Sequence, residues 1–274
     1  MRFALALVFF AAAAAQQPEA RDIMRRSVDA NDQNWKIARN YTFLERSEER
    51  QLDSAGRVKS KQVKTYDVTL LEGSPYRRLV ERDDHPLASE EQQKEKEKLE
   101  RSIAERSRET PAARERRIAE YEKRRERERE LMREVADAFD FRVAASDHVD
   151  GREVWVIEAT PRPGYQPRNW NMKFLPHVRG KLWIDKLSLQ WAKLEAEVID
   201  PVSWGLFLLR LERGARIGFE QTRVNEEVWL PKRVVVSASA RIGFIKKLRI
   251  EQDVAYKNFR KFQADSRLVA AQPE

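Results

Sequence analysis

The chain has no cysteine and only three histidines in 274 residues. The missing thiols exclude a disulfide framework, a thiolate metal site and an acylated N-terminal Cys. His85, His148 and His177 stand in separate loops, and no pair has the short spacing that two metal ligands on one element need. Glycine numbers nine, and none falls in a GxGxxG, P-loop or GxSxG pattern. Asp83-Asp84-His85 reads as a polar turn. Glu195 and Glu197, two residues apart, read as the wet side of a strand rather than a glycosidase pair. With no catalytic constellation, the sequence predicts a non-enzyme with no cofactor and no metal site. Long apolar runs are scarce too. After the first residues none reaches the roughly 20 needed to span a bilayer, because Arg210 and Glu212 interrupt the run that starts at Trp204.

What is present begins with Arg2, an unbroken apolar run from Phe3 to Ala15, and small residues Ala13-Ala14-Ala15 before Gln16-Gln17-Pro18. That is the layout of a signal peptide over 1–15, with 16–274 as one exported domain. Export without disulfides points to a bacterial periplasm. Charged residues make up 36% of the chain and the net charge is +8. The excess is not spread evenly. Residues 90–134 hold 14 acids and 15 bases, whereas 139–274 hold 17 acids and 23 bases. For an exported protein, anionic headgroups or an acidic envelope partner suit such a surface better than nucleic acid does.

Periodicity places a helix from Pro18 to about Asn31, with Ile23, Met24 and Val28 near one face. A hairpin of long strands follows, from Tyr41 through the turn at Gly56 to Leu71, and then a shorter strand from Tyr76. Residues 88–138 read as an inserted charged helical hairpin. Thr110 is placed to cap its second helix and Pro111 to open it. Apolar residues there are sparse, so the insert is expected to be a solvated arm touching the body only at its ends, the alternative being a cover or a partner-docking arm. From Phe139 the pattern is strand and turn to the end, with Asp150-Gly151 a strong hairpin signal. The stretch Phe207 to Val224 reads as one strand. Leu194, Ala196 and Val198 alternate with charged residues, and Val234, Val236 and Ala238 with polar ones. One face is apolar and the other wet, as in an antiparallel meander. The predicted fold is α+β: a curved antiparallel sheet, an incomplete barrel, wrapped around the N-terminal helix, with the helical hairpin at one end.

Turns of a meander alternate between the two ends of the sheet. The end holding Asp150-Gly151, Lys186 and Asn225-Glu226 is polar. The other end collects Tyr165, Trp170, Phe174, Trp204, Phe207, Phe244 and Ile245, with Lys246 and Lys247 beside them. Those seven apolar residues are the predicted lipid-binding set, and the two lysines the predicted site for an anionic headgroup. The competing expectation is that the same loops only plug the core.

The segments GREVWVIEATP, GKLWIDK, WAKLEAEVID and VWLPKRVVV, followed by a closing YKNFRKF, resemble the superfamily of periplasmic lipoprotein carriers and receptors, the LolA-like proteins and their stress-sensing relatives. The resemblance implies an apolar cavity suited to acyl chains. The expected function is therefore non-catalytic binding of a lipid or acylated protein, in the manner of outer-membrane lipoprotein sorting. The alternative is an envelope protein-interaction or stress-sensor module that uses the charged arm.

Overall fold

The computed structural model describes residues 19–204, 209–242 and 246–262. The predicted leader lies outside them. Helix α1 (Ala20–Ala38) opens the described chain and outruns its predicted end. Three strands follow, β1 (Tyr41–Leu52), β2 (Val58–Leu71) and β3 (Ser74–Arg82), with a two-residue β4 (His85–Pro86). Helices α2 (Ser89–Ser107) and α3 (Pro111–Ala138) form the insert. Then come β5 (Phe139–Val149), β6 (Arg152–Pro161), two single 3-10 turns (Trp170–Met172 and Leu175–His177), β7 (Val178–Asp185) and β8 (Trp191–Val198). The chain ends with β9 (Val202–Trp204), β10 (Leu209–Leu211), β11 (Arg216–Val224), β12 (Val228–Ile242) and β13 (Lys246–Lys261).

The architecture is α+β. One antiparallel sheet runs β4-β3-β2-β1-β13-β12-β11-β8-β7-β6-β5 and does not close into a barrel. The N-terminal hairpin joins the C-terminal meander through β1 on β13, where Arg46 stands opposite Ala255. Turn chemistry agrees with the sequence. Asp150 and Gly151 take φ of 48° and 77°, and Asn225 and Glu226 take 51° and 55°. Both central residues of each turn are left-handed, as a two-residue hairpin in right-twisted strands demands.

Helix α1 covers the sheet's inner face. Ile23, Met24, Ser27 and Val28 are buried at helical spacing, Ile23 and Met24 in one cluster with Ile157, Leu182, Ile184 and Trp191. Burying a side chain of that size contributes about 1.5–3 kcal/mol. Two polar clasps fix the helix. The Trp191 indole donates to Ser27 Oγ at 2.9 Å, and Ser27 in turn donates to the Met24 carbonyl at 2.7 Å. The Asn34 amide exchanges two 2.8 Å bonds with the backbone of Trp229 at the start of β12.

Two expectations give way here. Phe207 to Val224 is not one strand. β10 pairs with β12 at Ala240 to Ile242, β11 pairs with it up to Ser237, and a turn with Gly214 at φ 85° separates them. The apolar run hid that break, because it reads equally well as unbroken strand.

The insert is also not a solvated arm. Thr110 does cap α3, accepting from Ala113 N, with Pro111 at the first position. But α3, roughly 42 Å long at 1.5 Å per residue, lies along the body as a strap. Gly73 at the β2–β3 turn packs near Ile118, since a Cβ there would sit 3.0 Å from its Cδ1. Tyr121 meets Trp35 of α1 at 6.5 Å between ring centroids, and Arg125 stacks over Trp35 at 4.5 Å. Glu122 pairs with Arg39, and Leu131, Met132 and Val135 join the main core. Burial, with Glu45 nearby, pushes the Tyr256 phenol on β13 up to about 12.

Candidate functional site

Register places the residues of the site. Directly opposite residues share a face, so Gly180, Ala196, Ile217 and Val236 form one inner row across β7, β8, β11 and β12. Leu182, Leu194, Phe219 and Val234 form the next row. The outer rows hold Lys181 with Glu195, and Arg179 with Glu197 and Arg216. Glu197 accepts from Arg179 at 2.9 Å and from Arg216 at 3.4 Å. Such solvated pairs contribute little to stability, about 0–1 kcal/mol each.

Between the inner rows and α3 lies an apolar trough of about 360 Å³. Leu194, Ala196, Val236 and Ala238 line its sheet side, and Leu131, Met132 and Val135 of α3 the opposite side. Phe174 and Leu175 from the 3-10 turns and Leu211 from β10 complete it. The floor is hollow because two of its residues are small. A Cβ built on Gly180 would lie 3.2 Å from the Glu195 carbonyl oxygen and 3.8 Å from the Ala196 Cβ, so the sheet itself leaves no room for a side chain there. Ile217 on this floor is 41% exposed, although it belongs to the apolar face. Among the described residues only Glu197 and Arg216 bring charged side chains to the lining, and both are engaged in the outer ion pairs.

The segment 161–178 forms one wall and is latched to α3. Glu134, almost fully buried, accepts from the Tyr165 hydroxyl and pairs with Arg168 at 3.2 Å. Arg168 also reaches Asp137 at 2.8 Å, and Arg162 donates to Asp140 and to the Phe139 carbonyl, each at 3.1 Å. Burial and then the bond to Glu134 hold the Tyr165 phenol above its ordinary pKa. This latch seats Phe174 and Leu175 against the trough.

The predicted site residues fall into distinct places. Phe174 lines the trough. Tyr165 packs beside the main core and gives its hydroxyl to Glu134. Trp170 is 62% exposed on the same segment. Phe207, Phe244 and Ile245, and the side chains of Trp204 and Lys246, lie outside the described residues. Their strands can still be placed. Leu209 pairs with both Trp204 and Ile242, and Ile242 with Lys246, so the β9–β10 and β12–β13 tips are neighbours. Lys247 is exposed next to them. The α3 wall was not among the predicted residues, and neither was the floor. The floor's signal was present in the alternation of Leu194, Ala196 and Val198.

Among the described residues no three His, Cys, Asp or Glu side chains come together as a metal site, and no helix is long and apolar enough to cross a membrane. The trough can hold hydrocarbon and exclude water from it.

The sequence matches no family model and no curated protein. Solved structures are similar over most of its length. A domain described as that of an outer membrane lipoprotein-sorting protein, from Vibrio parahaemolyticus, matches at 10% identity and TM-score 0.37, covering 89% of this chain and 95% of that one. A DUF1329 family protein from Desulfovibrio piger matches at 12% identity and TM-score 0.30, covering 89% and 95%. A LolA superfamily protein from Nitrosomonas europaea matches at 10% identity and TM-score 0.29, covering 89% and 94%. At such scores the likeness says nothing of ligand or partner.

Proposed function

We propose that this chain is a non-catalytic, exported binder of an acyl chain, carried on a lipid or an acylated protein, and that the trough is the seat of that chain. The supporting observation is a cavity of about 360 Å³ with an apolar wall, in a protein whose outer face is laced with ion pairs. The volume lies in the range of small-ligand sites. A wall without free donors or acceptors penalises sugars and nucleotides, whose polar groups would lose water and gain no partner. An alkyl chain has no such penalty and gains about 0.8 kcal/mol per buried methylene.

The finer form of the proposal is transport of lipoproteins between envelope membranes in the periplasm, supported by the leader-like residues 1–15. In this reading Phe174 is joined by Tyr165, Trp170, Trp204, Phe207, Phe244 and Ile245 around the mouth, and Lys246 and Lys247 meet the headgroup. A docking role for the helical insert has less support, because α3 is committed to the body through Tyr121, Arg125 and Val135.

The test is direct. The full sequence is expressed, collected from the periplasmic fraction and delipidated, then titrated with a fluorescent fatty acid. Saturable binding at one site per chain is expected. Absence of binding, or displacement by a sugar and not by an unlabelled fatty acid, would end the proposal.

A further inference from the structure

The two ends of the sheet differ in charge. The sequence segments that join the strands at the trough end of the sheet, 161–179, 199–215 and 241–249, carry ten bases and two acids. The opposite connections, 147–153, 185–188 and 224–228, carry two bases and six acids. Part of the basic charge is engaged, since Arg168 pairs with Glu134 and Asp137, and Arg241 with Glu212. Lys173, Arg213 and Lys247 are exposed and have no carboxylate partner among the described residues. Trp170 stands at this same end, three residues from Lys173 and 62% exposed. An indole in that setting is amphipathic, suited to the level of lipid headgroups. The trough reaches towards this end as well, where Phe174, Val178 and Leu211 line it.

We propose that this end of the molecule docks on an anionic lipid surface, with Trp170 at headgroup depth and Lys173, Arg213 and Lys247 against the phosphates. The proposal rests on the acyl-binding reading and gives it a route: the chain passes between bilayer and trough without crossing water. The opposite end, with its excess of acids, is repelled, so the charge asymmetry also sets the orientation. Among the described residues the most exposed large apolar one, Leu187 at 88%, lies at that opposite end and takes no part.

The test uses the periplasmic form of the full chain and vesicles of phosphatidylcholine with or without phosphatidylglycerol. Sedimentation with the anionic vesicles is expected, weakening as salt rises. Each basic residue near such a surface is worth about five-fold in binding, so K173A/R213A/K247A together should weaken it about a hundred-fold. Trp170→Phe should reduce the tryptophan quenching caused by bilayer-embedded brominated lipid, and Leu187→Ala should change nothing. Equal binding to neutral vesicles, or a triple variant that binds like the parent, overturns the proposal. Fatty-acid titration separates the two readings. The triple variant should still take up fatty acid from solution. A parent protein that takes up fatty acid but ignores anionic vesicles refutes docking alone. One that binds vesicles but no fatty acid leaves surface contact standing, and it is then the acyl reading that fails.

Discussion

Ala196→Leu should weaken binding of a long acyl chain while leaving the protein folded. Ala196 sits in the inner row between Gly180 and Ile217, and it and Gly180 are the small residues of the trough floor. Leucine adds three carbons to that space, enough to displace about three methylenes of a ligand. At about 0.8 kcal/mol per methylene the loss is about 2.4 kcal/mol, or roughly 60-fold in Kd. Folding should not suffer, because the added carbons enter open volume rather than a filled core. The assay is a titration with a homologous series of fatty acids. For the parent, affinity should climb with chain length and level off once the trough is full. For Ala196→Leu the plateau should arrive about three carbons earlier, with the melting temperature unchanged or raised. Glu195→Leu, which places the same leucine side chain on the outer face, should leave the series unaltered. Identical curves for parent and Ala196→Leu, or an affinity that ignores chain length, would refute the reasoning.

Other consequences test how the site is held. Asp185, nearly fully buried, is raised by burial, yet Arg152 at 2.7 Å and 3.1 Å and Ser188 outweigh this and hold it below the usual aspartate range. Its contribution is therefore present above the unfolded pKa of about 3.9 and lost as pH falls through the lower folded value. Asp185→Asn should cost about 2 kcal/mol at neutral pH in urea unfolding, and the gap to the parent should shrink in strong acid. Ser27→Ala leaves the Trp191 indole N–H without a partner and should cost about 1–2 kcal/mol; in a double-mutant cycle with Trp191→Phe the two losses should not add. Gly218→Ala puts a Cβ 2.7 Å from Val235 Cγ2 on the outer face and should cost about 1–3 kcal/mol, recovered by Val235→Ala.

Much of this was legible in the sequence because it is local. Period-two alternation from Leu194 to Val198 and from Val234 to Ala238 marked the inner face. Asp150-Gly151 and Thr110-Pro111 announced a hairpin and a helix start through backbone chemistry that few other residues satisfy. What escaped depends on partners far along the chain. The path of α3 is held by Arg125 on Trp35, Glu122 with Arg39 and Glu134 with Tyr165. These contacts are polar or aromatic, so an apolar periodicity does not register them. One side of the trough is α3, and for that reason its helical wall was invisible while its floor was not. The separation of β10 from β11 was missed for another reason. An apolar stretch shows where a chain can be buried, and only the left-handed Gly214 shows where it turns.

The central claim is that an acyl chain lies between α3 and the inner rows of β8, β11 and β12. Photocrosslinking with a fatty acid bearing a terminal diazirine, followed by peptide mapping, tests it most directly. Labels are predicted on peptides holding Leu131 to Val135, Leu194 to Ala196 and Val236 to Ala238, and an excess of unlabelled fatty acid should suppress them. Labels confined to the outer face, or spread evenly and indifferent to competitor, would contradict it.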